Sequence, residues 1–387
     1  MTVKIEDYFP RATFQKMKAF ADQHETPFVV IDTETISKAY DDLRAGFEFA
    51  KVYYAVKANP AVEIIDLLRD KGSSFDIASI YELDKVMSRG VGPERISYGN
   101  TIKKSRDIRY FFEKGVRMFA TDSEADLRNI AKAAPGAKVY VRILTEGSTT
   151  ADWPLSRKFG CQTDMAMDLL ILARQLGLEP YGISFHVGSQ QRDISVWDAA
   201  IAKVKVIFER LKEEDGIELK MINMGGGFPA NYITRTNSLE TYAEEIIRFL
   251  KEDFGDDLPE IILEPGRSLI ANAGILVSEV VLVARKSRTA VERWVYTDVG
   301  KFSGLIETMD ESIKFPIYTE KKGEVEEVVI AGPTCDSADI MYENYKYGLP
   351  LNLAIGDRLY WLSTGAYTTS YSAVEFNGFP PLKAYYI

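Results

Sequence analysis

Residues Lys51–Ser88 read KVYYAVKANPAVEIIDLLRDKGSSFDIASIYELDKVMS, and the hydrophobic period switches repeatedly inside this stretch. Lys51–Val56 (KVYYAV) is a short run of aromatic, β-branched and apolar residues, the composition of a buried strand. Ala61–Arg69 instead spaces its apolar residues at i, i+3 and i+4, which lines one face of a helix. Ser74–Ser79 (SFDIAS) returns to the strand pattern and Ile80–Met87 to the helical one. The stretch predicts strand, helix, strand, helix, and the alternation continues outward from it. Further strand-like runs fall at Arg95–Asn100, Arg117–Asp122, Lys138–Leu144, Tyr181–Val187, Lys220–Met224 and Glu260–Leu263. Helical patterns such as Ser105–Lys114 and Met165–Leu176 lie between them. Ser123-Glu124-Ala125-Asp126 marks a helix start, because a serine oxygen takes an orphan amide and acids suit the positive helix end. Eight strands alternating with helices predict an α/β fold of the (β/α)8 TIM-barrel type, which takes about 250 residues. An open doubly wound sheet is the competing reading, and the early GxGxxG it would carry is missing.

From about Ala271 the pattern changes. Ile275–Val283, Arg293–Tyr296, Val325–Ala331 and Arg358–Leu362 read as strands with turn-rich connections and no strong helices between them. The expected organisation is an N-terminal segment 1–32, a barrel over 33–270 and a C-terminal all-β domain over 271–387. The N-terminal segment either packs with the β-domain or leads into the barrel.

Composition narrows the function classes. The 387 residues are 46% hydrophobic and 27% charged, which excludes a disordered or fibrous chain. A net charge of −10, from 57 acids against 47 bases, argues against a nucleic-acid partner. The longest apolar stretch, Ile275–Ala284, is short and interrupted by Glu279, so no membrane span is expected. The N-terminal MTVKIEDYFPRATF mixes acids with apolar residues and does not read as a signal peptide. Two cysteines, Cys161 and Cys335, and two histidines, His24 and His186, leave little for a disulfide framework or a metal site. A reducing cytoplasm and no metal are the expectations.

Barrel chemistry sits at the C-terminal ends of the strands. Lys57 follows the first strand between apolar flanks, where a desolvated amine forms a Schiff base with a carbonyl compound. His186 ends the sixth in SFHVGSQ. Gly225-Gly226-Gly227-Phe228 follows the seventh, and glycines there let backbone amides approach an anion. Glu264-Pro265-Gly266-Arg267 ends the eighth, presenting either a carboxylate with an anion-binding guanidinium or a structural ion pair. Gly332-Pro333-Thr334-Cys335-Asp336-Ser337-Ala338-Asp339 places a cysteine in an acidic turn of the β-domain.

Together YAVKANP, FDIAS with Glu82, SFHVGSQ, GGGFP, EPGR, GPTCDSAD and FNGF resemble the alanine racemase-fold (fold type III, group IV) decarboxylases that use pyridoxal 5'-phosphate (PLP), in their ornithine/lysine branch. The motifs run in family order from Tyr54 to Phe379. The resemblance implies that Lys57 holds PLP, Glu264 pairs with the pyridine nitrogen and His186 stacks on the ring. It places the phosphate among Ser189, Gly225, Gly226, Gly227, Gly266, Arg267 and Tyr367, and puts Asp76, Arg142 and Glu82 around the cofactor, with Arg142 near the ring hydroxyl. A carboxylate at the nitrogen makes a stronger electron sink than the arginine of the racemase relatives, which favours decarboxylation. Cys335 is implied as the proton donor to the α-carbon, reaching across a homodimer interface into the partner's site. Asp336, with Asp310 of ETMDES and Phe376 of FNGF, is implied at the substrate, where acids suit a distal ammonium and reject a carboxylate. The implied activity is conversion of L-ornithine to putrescine and CO2, in polyamine biosynthesis. Lysine differs from ornithine by one methylene, worth only about 1–3 kcal/mol in a pocket, so cadaverine formation stays open. A diaminopimelate decarboxylase, which carries a CESGD-like loop where this chain has CDSAD, and a non-catalytic homologue are the remaining alternatives.

Overall fold

Each of the eight runs becomes a strand, because each feeds a helix whose apolar stripe must be buried against the growing sheet. The computed structural model describes residues 3–145, 150–153 and 158–387. The strands Ala50–Ala55, Ser74–Ile77, Ile96–Tyr98, Met118–Thr121, Lys138–Arg142, Glu179–Ser184, Met221–Asn223 and Glu260–Leu263 are all parallel and form a closed barrel. Closure comes from the last strand pairing with the first, Ile261 opposite Ala50 and Leu263 opposite Val52. The interior is filled by Tyr53, Met118, Ala120, Tyr140, Tyr181, Met221 and Ile262, so the barrel is a packed core and not a pore. The helix Glu124–Ala133 starts as expected, with the Ser123 side chain accepting the Asp126 amide. Ser79 and Glu82 form a reciprocal cap on Ile80–Ser88: Ser79 accepts the Glu82 amide and Glu82 accepts the Ala78 amide at 2.7 Å.

Contacts divide the chain into two compact units, Ala39–Pro229 with Asn237–Gly266, and Met1–Lys38 with Ala230–Thr236 and Arg267–Ile387. The second unit is built on a mixed sheet in the order Ile317–Tyr318, Arg358–Leu362, Gly274–Ala284, Arg293–Thr297, Val325–Ala331, Ile340–Pro350. The N-terminal segment contributes the strand Phe28–Ile31, antiparallel to Gly274–Val277 and parallel to Lys383–Tyr386. Its helix Arg11–Ala21 lays Phe14, Met17 and Ala21 on the sheet residues Phe28, Val30, Ile275, Val277, Tyr360 and Leu362. The short connection Ala230–Thr236, expected inside the barrel stretch, also belongs to this unit. Three strands lie outside the four expected ones that follow Ala271: Ile317–Tyr318, Ile340–Pro350 and Lys383–Tyr386. Among the described residues no helix is long and apolar enough to cross a membrane.

Candidate active site

Five of the expected residues stand at the C-terminal ends of barrel strands and act on one another. Asp76 lies in the strand Ser74–Ile77 with its carboxylate against Gly99, where a Cβ would fall 1.9 Å from Oδ1. The side chain is buried and Oδ1 has no hydrogen-bond partner. Burial, then the neighbouring Glu264 and Glu82 carboxylates, push the Asp76 carboxyl well above the usual range against the pull of Lys57 and Arg142. Arg142 closes the strand Lys138–Arg142; burial disfavours its charge, and Glu264, Asp122 and Asp76 oppose that effect. His186 follows Glu179–Ser184, and its Nδ1 accepts the Gly188 amide at 3.0 Å, which places the ring proton on Nε2. Burial, Arg142 and Lys57 all drive His186 well below its ordinary value, so the ring is neutral.

Glu264 is fixed by a residue that sequence reasoning missed. Asn223 Nδ2 donates to Glu264 Oε1 at 2.5 Å while its Oδ1 accepts the Gly225 amide at 2.9 Å. Asn223 therefore ties the carboxylate to the glycine turn; its only sequence signal is a buried amide at a strand end beside GGG. The turn is glycine because the backbone passes directly over neighbouring strand ends. Gly225 and Gly227 take φ of +64° and +98°, and a Cβ at Gly225 or Gly227 would lie 2.4 or 2.5 Å from the carbonyl oxygens of Phe185 or Gly188. Among the described residues, no protein acceptor takes the amides of Gly226, Gly227 or Gly266. Ser189 opens the strand Ser189–Gln191, half-buried and paired opposite Trp153. Lys57 departs from expectation. Its flanks Val56 and Ala58 are buried, but the lysine side chain is exposed, so the desolvated amine expected from those flanks is not what the fold builds. Its ammonium acts instead on Asp76, Glu82 and His186. Glu82 is spoken for by the helix cap described above.

In the β unit Arg267 takes the second of its two expected forms, a structural ion pair. The guanidinium is not an open anion site but a buried bidentate partner of Glu307, at 2.7 and 2.5 Å, with the two side chains 3% and 2% exposed. It donates to the Tyr232 hydroxyl at 2.9 Å and lies 4.8 Å from the Tyr367 ring centroid. Arg267 and Tyr367 are thus brought together, by two residues, Glu307 and Tyr232, that local sequence gave no reason to connect. Cys335 and Asp336 are both exposed on a turn held from beneath by buried Asp339. Asp339 accepts the Lys301 amide at 2.8 Å and both the amide and the hydroxyl of Thr334. The Cys335 amide donates to Asn377 Oδ1 at 2.9 Å, which joins this turn to Phe376–Gly378 and places Phe376, itself 38% exposed, on a neighbouring turn. Asp310 is exposed with φ +51°, in the turn Ile306–Glu311. No three His, Cys, Asp or Glu side chains group for a metal among the described residues.

The barrel rim suits a flat, anionic aldehyde. It offers an exposed amine, an anchored carboxylate, a neutral imidazole, an orphaned buried carboxyl oxygen and glycine amides without acceptors. Residues 33–271 match the family described as pyridoxal-dependent decarboxylase, pyridoxal binding domain. A lysine/ornithine decarboxylase of Selenomonas ruminantium is 33% identical over 370 residues, 95% of this chain and 91% of the relative. Antizyme inhibitor 2 of Xenopus laevis is 31% identical over 93% of this chain and 80% of its own. The crystal structure of SrLDC in complex with PLP and cadaverine has a TM-score of 0.87 at 31% identity, covering 96% of this chain and 93% of its own. That of lysine/ornithine decarboxylase from Vibrio vulnificus complexed with cadaverine has a TM-score of 0.88 at 27% identity, covering 98% and 99%.

Proposed function

The chain belongs to the pyridoxal-dependent decarboxylase family, whose cofactor is PLP, and from that premise we propose that it converts L-ornithine to putrescine and CO2, with lysine as a second substrate. The observation that carries this reading is that one barrel rim presents both an exposed amine, Lys57, and a carboxylate, Glu264, clamped by Asn223. When bound, PLP supplies the electron sink that takes up the pair left behind by departing CO2.

Lys57 holds the cofactor by its amine. Glu264, fixed in place by Asn223, keeps a proton on the pyridine nitrogen. His186 offers its neutral ring as a stacking surface, consistent with the proton on Nε2. The free amides of Gly226, Gly227 and Gly266, with Ser189 and Tyr367, hold the phosphate. Arg267, assigned to the phosphate by resemblance, is already paired to Glu307, so in this reading amides and not a lone positive charge do most of the holding. Asp76 and Arg142 would line the place of the cofactor's ring. Cys335 delivers a proton from Sγ to the substrate α-carbon, and Asp336, Asp310 and Phe376 receive the distal ammonium and its methylene arm. Acids on exposed turns favour a cation, and the Vibrio vulnificus and SrLDC relatives were crystallised with cadaverine. The exposure of Cys335 and Phe376, beside exposed Tyr371, Val374 and Phe379, supports a homodimer in which these turns enter the partner's site.

The test is CO2 release from ornithine, lysine, arginine and diaminopimelate by the PLP-loaded protein. Ornithine is expected to turn over fastest, with lysine second. A protein that develops no visible absorption band on adding PLP overturns the enzyme reading and places the chain with the non-catalytic homologues. Release from diaminopimelate alone overturns the substrate. Lys57→Ala is expected to abolish both the band and turnover.

A further inference from the structure

Arg142 is held from outside the barrel by a segment that the proposed chemistry does not use. Lys158–Cys161 runs along the end of the strand Lys138–Arg142. The Cys161 amide donates to the Arg142 carbonyl at 3.0 Å and the Leu144 amide to the Cys161 carbonyl at 2.9 Å, a short parallel bridge that extends the strand past its end. Gly160 has φ +93° there, and a Cβ on it would lie 3.0 Å from the Ile143 carbonyl carbon and oxygen. Its amide donates to Asp122 Oδ2 at 2.8 Å, and Asp122 is the residue that follows the neighbouring strand Met118–Thr121. The preceding residue, Phe159, places its ring centroid 5.0 Å from the Arg142 guanidinium carbon. One carboxylate at the end of the fourth strand thereby pins an aromatic ring against a cation at the end of the fifth.

We propose that Asp122 and Phe159 are positioning residues for Arg142: Asp122 clamps Gly160, and the clamped segment keeps the Phe159 ring on the guanidinium, fixing where its charge lies in the barrel mouth. The groups acting on Arg142 from the surrounding strands are Glu264, Asp122, Asp76 and Tyr140, and Arg142 acts in turn on His186. A guanidinium drawn toward several carboxylates at once has more than one resting place, and an aromatic face packed against it removes all but one. The inference rests on the reading above, in which Arg142 stands beside the cofactor's ring hydroxyl.

Three variants separate clamp, charge and ring. Asp122→Ala removes the clamp, Asp122→Asn keeps an acceptor oxygen without the charge, and Phe159→Leu keeps the clamp without the aromatic face. The readout is the pH midpoint at which the visible absorption of bound PLP changes. A fixed cation beside an ionisable hydroxyl favours its ionised form, so loosening Arg142 raises the midpoint. Phe159→Leu is expected to raise it by about one unit and to weaken PLP binding about tenfold, and Asp122→Ala to lie about one unit above Asp122→Asn, which loses the charge but keeps the acceptor. If Asp122 acted only through its charge, both Asp122 variants would lower the midpoint equally, because one anion fewer favours the ionised hydroxyl; that result overturns the proposal. An unmoved midpoint in Phe159→Leu overturns the role of the ring. Amide hydrogen exchange needs no cofactor: Gly160 and Cys161 should exchange faster in Asp122→Ala and at the wild-type rate in the other two. Equal protection in Asp122→Ala overturns the clamp. A wild-type protein with no PLP band refutes the decarboxylase reading instead, and the exchange measurement still decides the clamp.

Discussion

Arg267 shows what a buried charge requires. A guanidinium 3% exposed is tolerable only with its counter-charge in place, and Glu307 supplies it through two parallel bonds, with Tyr232 and Tyr367 closing the other sides. Glu307→Ala leaves that cation unpaired in the interior and is expected to cost about 3–5 kcal/mol, measured as the loss of unfolding free energy in urea. A variant within about 1 kcal/mol of wild type would mean that water reaches the guanidinium. Cys335 is the opposite case, a free thiol left in the open. Cys335→Ala should leave stability unchanged, slow putrescine formation and raise the share of turnovers ending in transamination; an unchanged product ratio would assign the proton to another group. Lys57, His186, Glu264 and the glycine turn were legible in the sequence because each begins within two residues of a strand end, so a local pattern marks both the element and the residue after it. Asn223, Glu307, Asp339 and Asn377 were not. Asn223 acts on Glu264 and Asn377 on Cys335 across chain separations of 41 and 42 residues, and polar pairs of that kind leave no periodic trace.

The turn Ile306–Glu311 and the strand Ile340–Pro350 illustrate the same limit for whole segments. The strand reads IMYENYKYGLP, with charged and amide residues that break the alternation of a half-buried strand, and only its pairing with Val325–Ala331 defines it. Phe28–Ile31 and Lys383–Tyr386 pair across almost the full chain, a neighbour relation that no local window contains. The barrel strands were legible because each is apolar, buried and followed by a helix of the opposite period. Glu311 ties the turn to that strand: its carboxylate accepts the amides of Glu343, Asn344 and Tyr345 at 2.7, 2.7 and 2.8 Å. Burial works against ionisation there, but the three amides together outweigh it and hold the carboxyl below its ordinary value. A depressed carboxyl stabilises the fold above its unfolded value of about 4.3, and that contribution is lost as the pH falls through the folded value. Urea unfolding of wild type should therefore weaken between about pH 5 and pH 3 more steeply than that of Glu311→Gln, which has no carboxyl to protonate. Parallel pH profiles for the two proteins would assign the acid limb to other carboxylates. If Asp310, the neighbouring residue, meets the substrate as proposed, Glu311→Gln is also expected to raise the KM for ornithine more than it lowers kcat.

The proposed reading divides the chemistry between the two compact units, with Lys57, Asp76, Arg142, His186 and Glu264 on the barrel, and Cys335, Asp336 and Phe376 on exposed turns of the β unit. Tyr371, Val374, Phe376 and Phe379 are 48%, 74%, 38% and 37% exposed, four large apolar side chains within nine residues of one another in the chain. A lone subunit would leave this surface and its cysteine in water, whereas a second copy related by a two-fold axis would cover both sets at once. If the cysteine of one subunit serves the lysine of the other, two impaired variants contain between them one complete site. Alone, Lys57→Ala is expected to be nearly inactive and Cys335→Ala to form putrescine only slowly. Mixed in equal amounts under conditions that allow subunit exchange, half of the dimers are hybrids, and each hybrid holds one site with both residues intact and one with neither. Activity should recover to about a quarter of the wild-type value per unit of protein and follow the extent of exchange. A site built within a single subunit behaves differently, because every site in every dimer, hybrid or not, then lacks one of the two residues. Exchange shown by mass labelling with no recovery would therefore place Cys335 in the same subunit as the Lys57 it serves.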